Sequence, residues 1–272
     1  MLPVLFSIGP LNIYGYGVMI AIGIVVAFWV ALNRAPKFGL NEDTLFSVGI
    51  VAAICGFAGT KILFCIVELP TFLADPIGTL FSGNGFVVYG GIIGGILGGV
   101  LWCKHKKGAP LKYFDLIMPS ISLAQGFGRI GCFLAGCCYG AETDSPIGIA
   151  FSHSELAPNG VKLIPTQLFS SLGDFIIAAI LLVYAKRNKK DGNVGFLYLI
   201  LYSVGRFGIE FFRNDYRGAV GFLSTSQFIS IICVVAGLVL MVFNAKRKPK
   251  MVMEIDSLEN IACAEEEKKE EK

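Results

Sequence analysis

Seven runs of about twenty mostly apolar residues, each closed by a short polar or basic segment, restrict this chain to a single kind of environment. They extend over about 16–32, 45–67, 86–103, 113–133, 166–185, 194–212 and 223–243. Each is near the length that a helix needs to cross the hydrocarbon core of a bilayer. With 54% hydrophobic and only 16% charged residues over 272 positions, a soluble domain is excluded. The expected fold is all-α: a polytopic integral membrane protein of about seven transmembrane helices. Residues 1–245 form the membrane domain. Residues 246–272, a run of Lys and Glu with few apolar side chains, are expected to be a disordered, solvated tail.

The third run carries paired glycines at 90/91, 94/95 and 98/99. A small residue thus recurs every four positions along two adjacent ridges, a surface that admits a neighbouring backbone closely. The glycines follow helical spacing without a preceding soluble strand, so they do not read as a phosphate-cradling loop. The first thirteen residues contain no Lys or Arg, and the first span is therefore expected to stay in the mature protein.

Basic residues set the expected orientation, because cytoplasmic loops are enriched in Lys and Arg. Arg34 and Lys37 follow the first span, Lys104, Lys106, Lys107 and Lys112 the third, and Lys186, Arg187, Lys189 and Lys190 the fifth. With seven more in the tail, seventeen of the 23 bases lie on one side. An odd number of spans then puts the N-terminus outside and the C-terminus in the cytoplasm. The same scattering into short interspan clusters excludes nucleic acid as a partner, despite the net charge of +3.

The other six bases, Lys61, Arg129, Lys162, Arg206, Arg213 and Arg217, lie within spans or on the outer side. An ionisable group at membrane depth costs from about 2.5 kcal/mol upward, so it faces a partner or a polar cavity. Lys162 sits in a polar loop and reads as surface. Lys61 fits a structural and a site role equally. Arg206 or Arg213 could pair with Glu210, one helical turn away. Three outer-side arginines with one nearby carboxylate still leave positive charge unpaired, and guanidinium binds phosphate oxygens in bidentate fashion. A phospholipid headgroup is the obvious anion.

Arg129 lies in the stretch around which the chain is organised, residues 126–140, where Cys132, Cys137 and Cys138 follow it. The other cysteines (55, 65, 103, 233 and 263) stand singly in or beside spans or in the tail, and most behave as small buried hydrophobes. The group of three keeps a second class open, an outer-face thiol redox or metal-binding protein, although a packed structural thiol cluster is the stronger reading of these residues. A zinc set of four would need Asp or Glu, since His153 is the only outer histidine. A transporter is a third class, but the charges gather at the outer ends of spans four and six, and no inverted repeat is visible.

The chain resembles the prolipoprotein diacylglyceryl transferase family. The resemblance rests on Ile8-Gly9-Pro10 with Tyr16-Gly17-Val18-Met19, Tyr89-Gly90-Gly91, Gly128-Arg129-Ile130-Gly131, Pro165-Thr166-Gln167-Leu168, and Gly205-Arg206-Phe207 through Glu210-Phe211-Phe212-Arg213. Five weak motifs in order, over nearly the whole chain, are together specific. The resemblance implies a bacterial inner-membrane enzyme with its active site toward the outer face. Such an enzyme moves the diacylglyceryl group of phosphatidylglycerol onto the lipobox cysteine thiol of a prolipoprotein, releasing glycerol phosphate.

On this reading Arg129 and Arg206 stabilise the leaving phosphate. Arg213 and Glu210 form a supporting pair, and Gln125, Gln167, Tyr16 and Tyr89 line the site. The substrate brings its own charge and acyl chains, so no cofactor and no metal are expected. The chain also departs from the family's pattern. Tyr89 stands where the family commonly has a histidine, and a neutral tyrosine is a poor base at neutral pH. Either Tyr89 only positions substrate, or deprotonation is shared with the phosphate or Glu210. Cys132, Ala135 and Cys137 replace Asn, Asn and Glu, and Ser170 stands where an acid is usual.

Overall fold

The computed structural model describes residues 4–8, 11–82, 85–152, 154, 156–188, 190–214 and 219–246. Gly9, Pro10, His153, Arg217, Cys263 and nearly all of the expected tail lie outside these residues. Among the described residues, seven helices of 18 residues or more fall where the apolar runs lie. They are α1 (Gly15–Arg34), α2 (Glu42–Val67), α5 (Val88–His105), α6 (Pro110–Ala135), α7 (Thr166–Arg187), α8 (Asn193–Glu210) and α9 (Thr225–Ala245). The short α3 (Leu69–Ala74) and α4 (Pro76–Phe81) fill the loop after α2.

Among the described residues, four helices, α1, α2, α7 and α9, are long and apolar enough to cross a membrane. The other three dilute their apolar content: α5 with glycine, Lys104 and His105, α6 with Asp115 and Arg129, and α8 with Arg206 and Glu210. Large side chains of α1, α2, α5, α7 and α9 are widely exposed, as expected of surfaces that face lipid. The chain is thus an integral membrane protein.

Two compact units make up the chain, Phe28–Tyr113 and Met1–Ala27 with Phe114–Lys272, the boundaries falling inside α1 and α6. The first is built on the glycine ridges. A Cβ at Gly59 would collide with the Gly90 carbonyl, one at Gly90 with the Gly59 carbonyl, and one at Gly94 with the Cys55 carbonyl. Helices α2 and α5 therefore approach backbone to backbone, the contact that only glycine allows.

Lys61, on α2, is buried in this unit, and its structural reading prevails. Its ammonium donates to the Ser82 carbonyl and hydroxyl, both at 2.9 Å, and stands 4.8 Å above the Phe86 ring.

The second unit joins α6 to α7 by two buried bonds that run in opposite directions. Ser122 Oγ donates to the Asp174 carbonyl (2.7 Å) and Ser171 Oγ to the Gly126 carbonyl (2.9 Å). Hydroxyl groups spent on a neighbour's backbone hold helices where the bilayer supplies no hydrophobic drive. Asp115 fixes the start of α8, accepting from the Gly192 and Gly195 amides at 2.7 and 2.9 Å, a carboxylate against a helix N-terminus.

The 136–165 segment, expected only as a long loop, is folded. Strands β3 (Ile149–Ala150) and β4 (Lys162–Leu163) pair antiparallel over a small core of Phe151, Ala157 and Leu163, with Phe133 and Tyr139 against it. It is tied to the end of α8 through Ala141 N to the Phe212 carbonyl, 2.9 Å. Two further hairpins precede α1 and α9: β1 (Val4–Ile8) with β2 (Leu11–Tyr14), and β5 (Ala219–Val220) with β6 (Leu223–Ser224).

Candidate active site

Helices α6, α7 and α8 of the second unit surround a cavity of about 140 Å³. Arg129 enters it from α6, Ser170 and Asp174 from α7, and Tyr202 and Arg206 from α8, with Phe169, Ile177 and Phe212 supplying apolar wall. Gly205, beside Arg206, and Gly173, beside Asp174, both line the cavity, and no atom lies within 4 Å of where a Cβ would stand on either.

The two arginines differ in how they are held. Arg206 Nη2 makes a 2.7 Å ion pair with Glu210 and donates to Ser226 Oγ at 3.0 Å, and both charged side chains are largely buried. Arg129 has no hydrogen-bond or ion-pair partner among the described residues. The carboxylate of Asp174, on the same cavity wall, exerts only a longer-range attraction on it. A guanidinium with its donors uncommitted in a partly apolar cavity is poised for an anion.

The remaining expected site residues separate. Glu210 serves Arg206 and not Arg213, which corrects the expected pair. Residues four positions apart on one helix share a face, as Arg206 and Glu210 do, whereas Arg213 lies beyond the last turn of α8 and faces Cys138. Gln125 accepts from the Tyr198 hydroxyl at 2.7 Å, and Tyr198 stacks on Tyr202; it supports the cavity wall at one remove. Gln167 is buried, and its amide donates to the Cys137 carbonyl at 2.7 Å, so it holds the cysteine loop instead of lining the cavity. Tyr16, at the start of α1, packs against Gly131 with its side chain partly exposed. Tyr89 opens α5 in the other unit and is likewise partly exposed.

Asp174 is the charged cavity residue that sequence reasoning missed, and it overturns the premise of a single nearby carboxylate. It is one acid in an otherwise apolar span, 45 positions from Arg129, and no local spacing links the two. Its one signal was its own cost: a carboxylate inside a membrane run marks a polar cavity as surely as an arginine does.

Beside the cavity, the sulfurs of Cys132, Cys137 and Cys138 all lie within 4.8 Å of one another, and none of the three is in a disulfide among the described residues. Thr166 Oγ1 donates to the Cys138 carbonyl at 2.8 Å, which with the Gln167 bond clamps the loop onto the first turn of α7. Gly136 and Cys138 adopt left-handed φ of 73° and 64°. Hydrogen bonds from Cys132 and Cys137, and then the Arg213 guanidinium, hold the Cys138 thiol below the usual range.

Long apolar helices enclosing a cavity lined by two arginines and an aspartate define the class, a polytopic membrane protein. A family model described as prolipoprotein diacylglyceryl transferase matches residues 3–243, and the chain belongs to that family. A Clostridium tetani protein named phosphatidylglycerol–prolipoprotein diacylglyceryl transferase is 50% identical over 247 residues, 91% of this chain and 98% of its own. A Clostridium perfringens protein named phosphatidylglycerol–prolipoprotein diacylglyceryl transferase 2 is 52% identical over 239 residues, covering 87% and 93%. A Staphylococcus haemolyticus relative bearing the first of these names is 33% identical over 267 residues, covering 94% and 93%. These likenesses do not favour an outer-face redox or metal-binding protein as the identity of the chain.

Proposed function

We propose that this chain transfers the diacylglyceryl group of phosphatidylglycerol to the lipobox cysteine of a prolipoprotein, forming a thioether and releasing glycerol phosphate. The observation that carries the reading is the uncommitted guanidinium of Arg129 in a cavity shared with Arg206 and Asp174. The attacking sulfur forms a bond to the glyceryl carbon while the C–O bond to phosphate breaks. Negative charge grows on the departing phosphate as that bond lengthens. Fixed cations aimed at that charge lower the barrier without reorganising during the step.

Arg129 contacts the phosphate directly. Arg206, anchored by Glu210 and Ser226, supplies the second positive charge from a fixed position. Two cations of unequal freedom suit a site that must grip a charge that forms and then releases it. Asp174 limits how tightly the product phosphate is held, because it competes with the phosphate for Arg129. Tyr16 and Tyr89 position substrate, Gln125 and Gln167 brace the walls, and Arg213 acts on the cysteine loop. The protein lies in the bacterial inner membrane, with seven crossings, the N-terminus outside, and the cavity opening toward the outer leaflet. Residues 1–245 carry catalysis and residues 246–272 take no part in it.

The test is transfer itself. Membranes containing the protein are incubated with phosphatidylglycerol labelled in its acyl chains and with a lipobox peptide. Label appears on the peptide thiol with the wild type and not with Arg129→Ala. Normal transfer by Arg129→Ala would refute the assignment of the phosphate site. Access of a membrane-impermeant reagent to Cys263 from outside would overturn the orientation.

A further inference from the structure

One chemistry-bearing cluster among the described residues has no task in the phosphate site. Cys132 comes from the last turns of α6, and Cys137 and Cys138 from the loop that follows. Backbone clamps place all three: Cys137 N donates to the Cys132 carbonyl at 3.1 Å, and Gln167 and Thr166 hold the next two carbonyls. A left-handed cysteine such as Cys138 costs about 1–3 kcal/mol, so the loop is held in a shape that the peptide alone would not choose.

We propose that Cys132, Cys137 and Cys138 bind zinc as three thiolates, and that the fourth coordination position takes the lipobox cysteine. This assignment rests on the transferase reading above and supplies the step which that reading leaves open, ionisation of the acceptor thiol. It replaces the expectation of a metal-free site, while leaving the reaction unchanged.

Donor type is the first support, because thiolates select zinc or copper(I) over harder ions. Spacing is the second. Zinc–sulfur bonds of about 2.3 Å in a tetrahedron set sulfurs about 3.8 Å apart. Sulfurs already within 4.8 Å need to draw together by about 1 Å at most.

Ligand count is the third support. Three cysteines make up the cluster among the described residues. Three protein ligands with an open fourth position is the arrangement of catalytic zinc, whereas structural zinc is closed by four. Charge is the fourth. Zinc with four thiolates carries two negative charges, and two cations stand near: Arg213 beside Cys138, and Arg129 within electrostatic reach of Cys132 and Cys138.

The chemistry then closes. The lipobox thiol binds as thiolate, since coordination to zinc deprotonates a thiol outright, and its proton passes to water. A sulfur electron pair forms the bond to the glyceryl carbon. The C–O bond breaks, and its electron pair leaves on the phosphate oxygen near Arg129. The thioether formed is neutral and a weaker ligand, so it leaves zinc, and water takes its place. No base is required of Tyr89.

The experiment uses the full-length, reduced protein in phosphatidylglycerol nanodiscs, stripped with a chelator and titrated with cobalt(II), which zinc then displaces. Wild type is expected to bind one cobalt with intense thiolate-to-metal absorption. Cys137→Ser or Cys138→Ser should weaken binding by about tenfold or more. A lipobox peptide should change the cobalt spectrum, and the same peptide with Ser for Cys should not. Stripping should abolish transfer and zinc restore it.

No thiolate band in wild type, a band indifferent to the peptide thiol, or occupation by copper(I) alone would each overturn the proposal. Full transfer by the stripped protein would overturn it too, while the transferase reading stands. A peptide-responsive metal site in a protein that never transfers label would remove the transferase reading instead. The stripped and reloaded wild type makes the outcome independent of whether the Cys→Ser variants fold.

Discussion

Lys61 and Arg129 are two cations set in apolar helices, and the protein treats them in opposite ways. Lys61 is buried, its ammonium bonded to Ser82 and covered by the Phe86 ring. Arg129 lines a cavity with no hydrogen-bond or ion-pair partner among the described residues. The insertion cost of the two is similar in kind. One cost is met by the chain itself, the other is left for a ligand to meet. The two cations differ in whether the fold supplies a partner, and on the proposed function that difference separates a structural charge from one held open for phosphate.

Arg129→Ala should break the comparison most severely. Losing one group that stabilises transition-state charge lowers transfer by about a hundredfold or more, measured as labelled diacylglyceryl moved to a peptide thiol. Gly59→Val should have the next largest effect. Its side chain meets the Gly90 carbonyl, and overpacking of this kind lowers stability by about 3 kcal/mol, read as a fall in the thermal unfolding midpoint in detergent.

Lys61→Met removes a buried donor from Ser82 and should lower stability by about 2 kcal/mol, while transfer per folded molecule stays at the wild-type level. A loss of transfer at unchanged stability would erase the distinction between the two cations. Smallest is Ser226→Ala. It frees one hydrogen bond of Arg206 and should slow transfer by a few fold, about 1 kcal/mol, leaving the Glu210 ion pair in place.

The parts of this fold legible in the sequence were those written in local spacing. Apolar runs near membrane length located the seven long helices, and glycines four apart foretold the backbone contact of α2 with α5. Glu210, four positions after Arg206 on one helix, was a visible partner. What stayed hidden depends on residues distant in the chain. Ser82 lies 21 positions from Lys61, so nothing in the sequence separated a satisfied lysine from a functional one.

Asp174 reaches Arg129's cavity where α6 and α7 lie side by side, joined by the Ser122 and Ser171 hydrogen bonds. Gln125 and Gln167, polar residues in apolar runs, suggested a site, yet each is occupied by one partner, Tyr198 or the Cys137 carbonyl. The gathering of Cys132 with Cys137 and Cys138 was half legible. Their nearness in sequence was plain, but the left-handed turn at Gly136 that returns the chain toward α6 was not.

The most direct measurement is the affinity of the purified protein for a short-chain phosphatidylglycerol, compared among wild type, Arg129→Ala and Lys61→Met. Loss of a charge-assisted bond to phosphate, about 1.5–3 kcal/mol, predicts binding weakened by about tenfold or more in Arg129→Ala. Lys61→Met should bind as wild type does. Equal affinity in wild type and Arg129→Ala, or weakening confined to Lys61→Met, would contradict the claim that Arg129 is the cation held open for the lipid phosphate.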